Sequence, residues 1–232
     1  MDVKSTILAH LPHSKLSPKI WSNSKMLPNF RKALIVIANE FIDYLGITLD
    51  VIDVTVTGSY ANYNYTVFSD IDLHVIVDMD SIDAEEDLVK EFFNAKRSFW
   101  NDRHDIELKG IEVELYPQDA DEPHSSSGVY DDIWVVKPKK FKDKFDMRIV
   151  EKNAKKIIDE INIAIEEAEK ENTVEPIGKM LKKLKKMRSA GLERSGELSD
   201  ENITYKVIRG QGLLQKLFDT RYSIQDDNLS KL

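Results

Sequence analysis

The chain of 232 residues contains no cysteine. That excludes disulfides and thiolate-held metals, and it fits a reducing compartment. The opening stretch, MDVKSTILAHLPHSKLSPKIW, holds no apolar signal core and no small-residue cleavage site. No apolar run approaches the ~20 residues that a helical membrane span needs, so a soluble, cytoplasmic protein without a membrane partner is expected. Positive charge is not in excess either. The formal net charge of −8 argues against broad coating of nucleic acid or membrane and leaves room only for a local basic site. There are no internal repeats.

What is present reads as three parts. Residues 1–26 carry prolines at 12 and 18 and several serines, and residues 1–30 are expected to form an irregular lead-in. Over residues 31–140 helix and strand patterns alternate. Ala33, Leu34, Ile37, Phe41 and Tyr44 recur at helical spacing and Gly46 supplies a stop. LDVIDVTVTG and DIDLHVIVD read as strands. SIDAEEDLVKEFFNAKRSFWNDRH reads as a second helix, capped by Ser81, with Leu88, Phe92, Ala95 and Phe99 as its stripe. DIELKGIEVELYPQ reads as two strands broken at Gly110, and GVYDDIWVVKP as a hairpin or edge segment that stops at Pro138. Residues 141–232 are helical, in three expected helices, of which the second starts near Pro176 and ends at Gly191. The third is capped by Ser199 or Asp200 and weakened at Gly210 and Gly212. The class is therefore α+β, a small sheet with flanking helices followed by a helical domain.

The chemistry concentrates in VTGSYANYNYTVFSDIDLHVIV. Alternation along the second strand puts Ile71, Leu73, Val75 and Val77 on one face and Asp70, Asp72 and His74 on the other. Paired carboxylates repel each other unless a cation lies between them, and hard divalent cations take such oxygen ligands. Gly58 permits a tight turn, and the following backbone N–H groups with the Ser59 hydroxyl can face a phosphate. IEVELYPQ offers a third acid, Glu112 or Glu114, both opposite in direction to Ile111, Val113 and Leu115. Tyr60, Tyr63 and Tyr65 can stack on a base or pack the loop, and His74 can touch substrate or form a structural hydrogen bond. His124 reads as a surface residue.

Gly58-Ser59, ten residues, Asp-Ile-Asp, then an acid in a later apolar strand resembles the polymerase-β-type nucleotidyltransferase superfamily. HDIELKGIEVELYPQD, SSSGVYDDIWVVKP and GLERSGELSDENITYK are also similar to an uncharacterised nucleotidyltransferase family common in tailed phages. In many members of the superfamily the third acid stands three positions before a proline, and in VELYP that residue is Glu114. Those members carry Asp there; Glu is longer by one methylene. The resemblance implies a nucleotidyltransferase fold with a mixed sheet. It also implies a site in which Asp70, Asp72 and Glu114 hold two Mg²⁺ ions and catalyse transfer of a nucleoside monophosphate, AMP, to an acceptor hydroxyl. Gly58, Ser59 and Tyr60 then bind the nucleoside triphosphate. The alternative is a non-catalytic nucleotide-binding or interaction module on the same fold.

KMLKKLKKMRSAGLER is the most basic stretch of this acidic chain. Met180, Leu181, Leu184 and Met187 form an apolar stripe, so the lysines are either a solvated face or a phosphate site. On the second reading Lys182 and Lys186 join the nucleotide-binding residues, or meet a nucleic-acid acceptor. The acceptor stays open between RNA, a protein hydroxyl, a small molecule and a second nucleotide.

Overall fold

In the computed structural model, residues 2–123, 127–129, 133–141 and 145–231 are described. His124 and residues 130–132 of the expected edge segment lie outside them. The chain forms two compact units, one of residues 12–141 and one of residues 1–11 with 142–232. The expected lead-in instead opens with helix α1 (Val3–Ala9), and Asp2 caps it by accepting from the Ser5 N–H at 3.0 Å. α1 buries Thr6 and Ile7 and groups with the C-terminal helices. Seven residues are too short for periodicity to declare a helix.

The α+β unit begins with a ribbon of β1 (Trp21–Ser22) and β2 (Lys25–Met26). Helix α2 (Pro28–Leu45) follows and ends at Gly46, whose φ of 72° gives the left-handed stop that glycine favours. Its buried residues are Phe30, Leu34, Ala38, Phe41 and Leu45. β3 (Val51–Thr57), β4 (Ile71–Val77), β5 (Val113–Asp119) and β6 (Ser127–Gly128) make a four-stranded sheet in the order β5-β4-β3-β6. β4 runs antiparallel to β3 and parallel to β5, so the sheet is mixed. The return from β4 to β5 passes through α3 (Glu86–Arg103), as a parallel pair requires.

Two local expectations change here. α3 starts at Glu86, and Ser81 lies in a separate short turn, where its N–H is held by Asp78. α3 buries Val89, Phe93 and Trp100, while Leu88 and Phe99 are exposed. Both stripes have helical spacing. The one chosen is the one that seats Trp100 edge-on against Phe41, their ring centroids 5.5 Å apart. Before β5, residues 105–112 form only a bridge between Glu107 and Glu112 rather than a strand.

The helical unit continues with α4 (Met147–Glu171), α5 (Glu175–Ser195), α6 (Asp200–Gly210) and α7 (Leu213–Leu229). α4 buries Val150, Ala154, Ile157, Ile161, Ile165 and Ala168, a stripe recurring every three or four residues. The single helix expected around Gly210 and Gly212 divides there, with Gly212 at φ 74°. α5 does not end at Gly191. A Cβ at that position would come within 2.8 Å of Glu201 Cβ and 3.3 Å of the Asn202 nitrogen, so the glycine lets the start of α6 pack against α5. Ser199 caps α6, accepting from the Asn202 N–H at 3.3 Å. No helix among the described residues is long and apolar enough to cross a membrane.

Candidate active site

The register of three strands assembles the acidic face. In β4, Ile71, Leu73, Val75 and Val77 are fully buried, while Asp72 and His74 are half-buried on the opposite face. Thr57 of β3 stands opposite Asp72, and on the other side Asp72 pairs with Glu114 and His74 with Tyr116. Residues directly opposite in register project from the same face. Asp70 is half-buried just before β4, two positions from Asp72. Glu112 is exposed and precedes β5, and its carbonyl accepts from the Ile71 N–H at 2.8 Å.

Gly58 closes the face at the end of β3. Its φ of 67° and ψ of −154° suit glycine alone. A Cβ there would fall 1.7 Å from Asp72 Oδ2 and 2.9 Å from its Cγ. The Asp72 carboxylate therefore occupies the space a side chain would need. Ser59 then starts a one-turn 3₁₀ segment, Ser59–Ala61. Tyr60 is only 4% exposed. Its carbonyl accepts from Trp21 Nε1 at 2.7 Å, and its ring stacks on Tyr65 with centroids 5.7 Å apart. Tyr65 in turn stacks on His13. Of the two roles open to the Tyr60 ring, stacking on a base or packing the loop, the buried ring takes the second, and what Tyr60 can offer a ligand is backbone.

Further residues hold this face, and sequence reasoning missed them. Tyr116 donates its hydroxyl to Glu114 Oε2, and its ring lies against His74, with centroids 5.1 Å apart. His74 Nδ1 donates to Gln118 Oε1 at 2.6 Å, which is the structural bond foreseen as one of its two roles. The Arg97 guanidinium lies 5.1 Å from the centre of the Tyr116 ring. β5 is an edge strand, and the Asn101 side chain serves it as a substitute neighbour: it donates to the Leu115 carbonyl and accepts from the Leu115 N–H, both at 3.1 Å. Leu115 sits between Glu114 and Tyr116, so this clamp fixes both. The alternation Glu114, Tyr116, Gln118 was the available signal, a polar period of two continuing past the acid.

Charge converges on this face. Tyr116 is pushed above the ordinary phenol range, first by burial, then by the Glu114 bond and charge, then by the charges of Asp72 and Asp70. Glu112 is raised by burial and then by Glu114, Asp70, Asp105 and Glu107. Glu112 feels Asp70, but only Glu114 stands in register with Asp72. Among the described residues no three His, Asp or Glu side chains are gathered at chelating distance. The donor set nonetheless fits a hard divalent cation: the convergent groups are all carboxylate oxygens, and the charge they accumulate calls for a counter-cation. Lys182 and Lys186 lie on α5 in the helical unit, both exposed.

A family model described as a nucleotidyltransferase domain matches residues 37–160. No curated protein and no solved structure matches the chain.

Proposed function

The chain belongs to the nucleotidyltransferase domain family, whose members generally use divalent metals, and from that premise we propose that it transfers AMP from ATP to an acceptor hydroxyl. The observation that carries this reading is the register of Asp72 with Glu114, beside Asp70 and against Gly58. Asp70, Asp72 and Glu114 would hold two Mg²⁺ ions, which supply positive charge at the phosphates and acidify the acceptor hydroxyl. The Gly58-Ser59 turn receives the triphosphate through backbone N–H groups and the Ser59 hydroxyl, an approach that a Cβ would obstruct. The acceptor oxygen attacks the α-phosphorus, the bond from that phosphorus to the β-bridging oxygen breaks, and pyrophosphate leaves. Glu114 takes the acceptor's proton and passes it to solvent. Tyr116 keeps Glu114 oriented through its hydroxyl.

The test is pyrophosphate release from each of the four common ribonucleoside triphosphates with Mg²⁺, with and without RNA, for the wild type and Asp72→Asn. Release from ATP that vanishes in the variant is the expected result. Magnesium-dependent ATP binding without release under any acceptor would instead identify a binding module.

A further inference from the structure

The helical unit carries a cavity of about 520 Å³ that the proposed reaction does not use. Lys182, Lys185 and Arg188 of α5 line it at i, i+3 and i+6. Tyr205 of α6 joins them, with Phe218 and Arg221 of α7, over a floor of leucines. Lys183, a step round the helix, is directed elsewhere, its Nζ 2.6 Å from Glu160. Lys179, Arg194 and Lys206 are likewise paired with Glu175, Glu201 and Glu197. Among the described residues, none of the cavity's four cations forms a salt bridge, and no carboxylate is in its lining. The Arg188 guanidinium lies 4.8 Å from the centre of the Tyr205 ring, and its Nε is buried without a hydrogen-bond partner. A buried donor of that kind is costly unless an acceptor reaches it.

We propose that this cavity binds a nucleoside phosphate, with the phosphate held by Arg188, Arg221 and the two lysines and the base lying against Phe218 and the leucine floor. The volume is that of a small-molecule site, larger than a bare oxyanion needs. The apolar floor and flat ring suit a base. Four cations with no carboxylate in the lining, Glu197 acting on Arg188 only from outside it, suit a phosphate, which carries more charge than a single carboxylate, and arginine's planar fork matches its oxygens. Of the residues expected at a phosphate, the cavity takes Lys182 and leaves Lys186 outside its lining.

The experiment is a titration of the full chain with AMP in EDTA, followed by calorimetry. Without divalent cations the acidic face repels phosphate, so binding here is read apart from the catalytic reading and does not depend on it. Saturable AMP binding is expected, weakened about tenfold or more by Lys185→Glu with Arg221→Glu and by added salt. Phe218→Ala should also weaken it, and Lys179→Gln should leave it unchanged; circular dichroism verifies each fold. A 5′-phosphorylated single-stranded hexanucleotide separates two sources. Competition with AMP, lost in the same variants, supports a strand end as the ligand, and AMP binding without competition supports the free nucleotide. The assignment is overturned if AMP does not bind saturably, if the charge-reversal variant binds it like the wild type, or if inorganic phosphate binds as tightly as AMP.

Discussion

On the β4–β5 face the acids come together through strand register. Asp72 and Glu114 are distant in sequence and adjacent in the sheet, and Gly58 leaves room for one of their carboxylates. On α5 the cations are close in sequence and separated by structure. Lys179 and Lys183 are absorbed by Glu175 and Glu160, while Lys182, Lys185 and Arg188 keep a shared cavity. A strand motif thus specifies its partners by position, because a slip of one residue turns every side chain to the other face. A basic helix does not, because i, i+3 and i+4 positions offer several faces and the carboxylates on the same helix and on its neighbours decide which lysines stay unpaired.

The comparison is broken most severely at the third acid. Glu114→Gln should lower pyrophosphate release by about three powers of ten if Glu114 holds metal and takes the proton as proposed. Glu112→Gln, exposed and out of register with Asp72, should cost less than about tenfold. Steady-state rates at saturating ATP and Mg²⁺ decide it, and the reverse order of effects would mean that register does not select the acid.

Gly58→Ala comes next. The added methyl would sit where Asp72 Oδ2 now lies, and φ 67° strains any residue with a Cβ. A rate loss of about a hundredfold is expected, with about 2 kcal/mol of stability lost in urea unfolding. A variant that keeps its rate would show that Asp72 need not lie against the turn.

Much of this face was legible and its supports were not. The Gly-Ser turn, the Asp-Ile-Asp strand and the VELYP acid announce themselves by spacing, and β4 buries the four apolar residues that alternation assigns to it. Asn101 and Arg97 reach β5 from α3, and their roles depend on how α3 is rotated. Periodicity chose the stripe with Phe99, whereas the fold buries the one with Trp100. The cavity between α5 and α7 was illegible for a related reason: Phe218 and Arg221 belong to a helix that the sequence pattern, weakened at Gly212, still runs together with α6.

A pH prediction sharpens the contrast from the helical side. His10 ends α1, and burial, followed by the Lys206 and Arg209 charges, lowers its pKa to about 4. The ordinary value is 6.5, so the unfolded chain takes the proton first. Stability from this residue is therefore whole above pH 6.5 and declines as pH falls toward 4, by about 3 kcal/mol at most. Urea unfolding at pH 7 and pH 4.5, wild type against His10→Gln, checks it. The variant should lose distinctly less stability on acidification, and equal losses would assign the acid sensitivity to carboxylates instead.

The smallest effect tests how the acidic face is held rather than what it is made of. Tyr116 donates to Glu114, and burial together with three nearby carboxylates keeps its own proton on the oxygen. Tyr116→Phe preserves the ring against His74 and beneath Arg97 and removes only the donor. A hydrogen bond to a charged group is worth ~1.5–3 kcal/mol, so about a tenfold fall in kcat is expected, with ATP KM nearly unchanged. The Mg²⁺ concentration for half-maximal rate should rise, since a freed Glu114 must be oriented by the cation itself. Tyr116→Leu, which also removes the ring, should cost more in stability and shift the same Mg²⁺ midpoint. If Tyr116→Phe moves neither kcat nor that midpoint, then register and the Asn101 clamp alone position Glu114, and the tyrosine serves only the packing of the sheet edge.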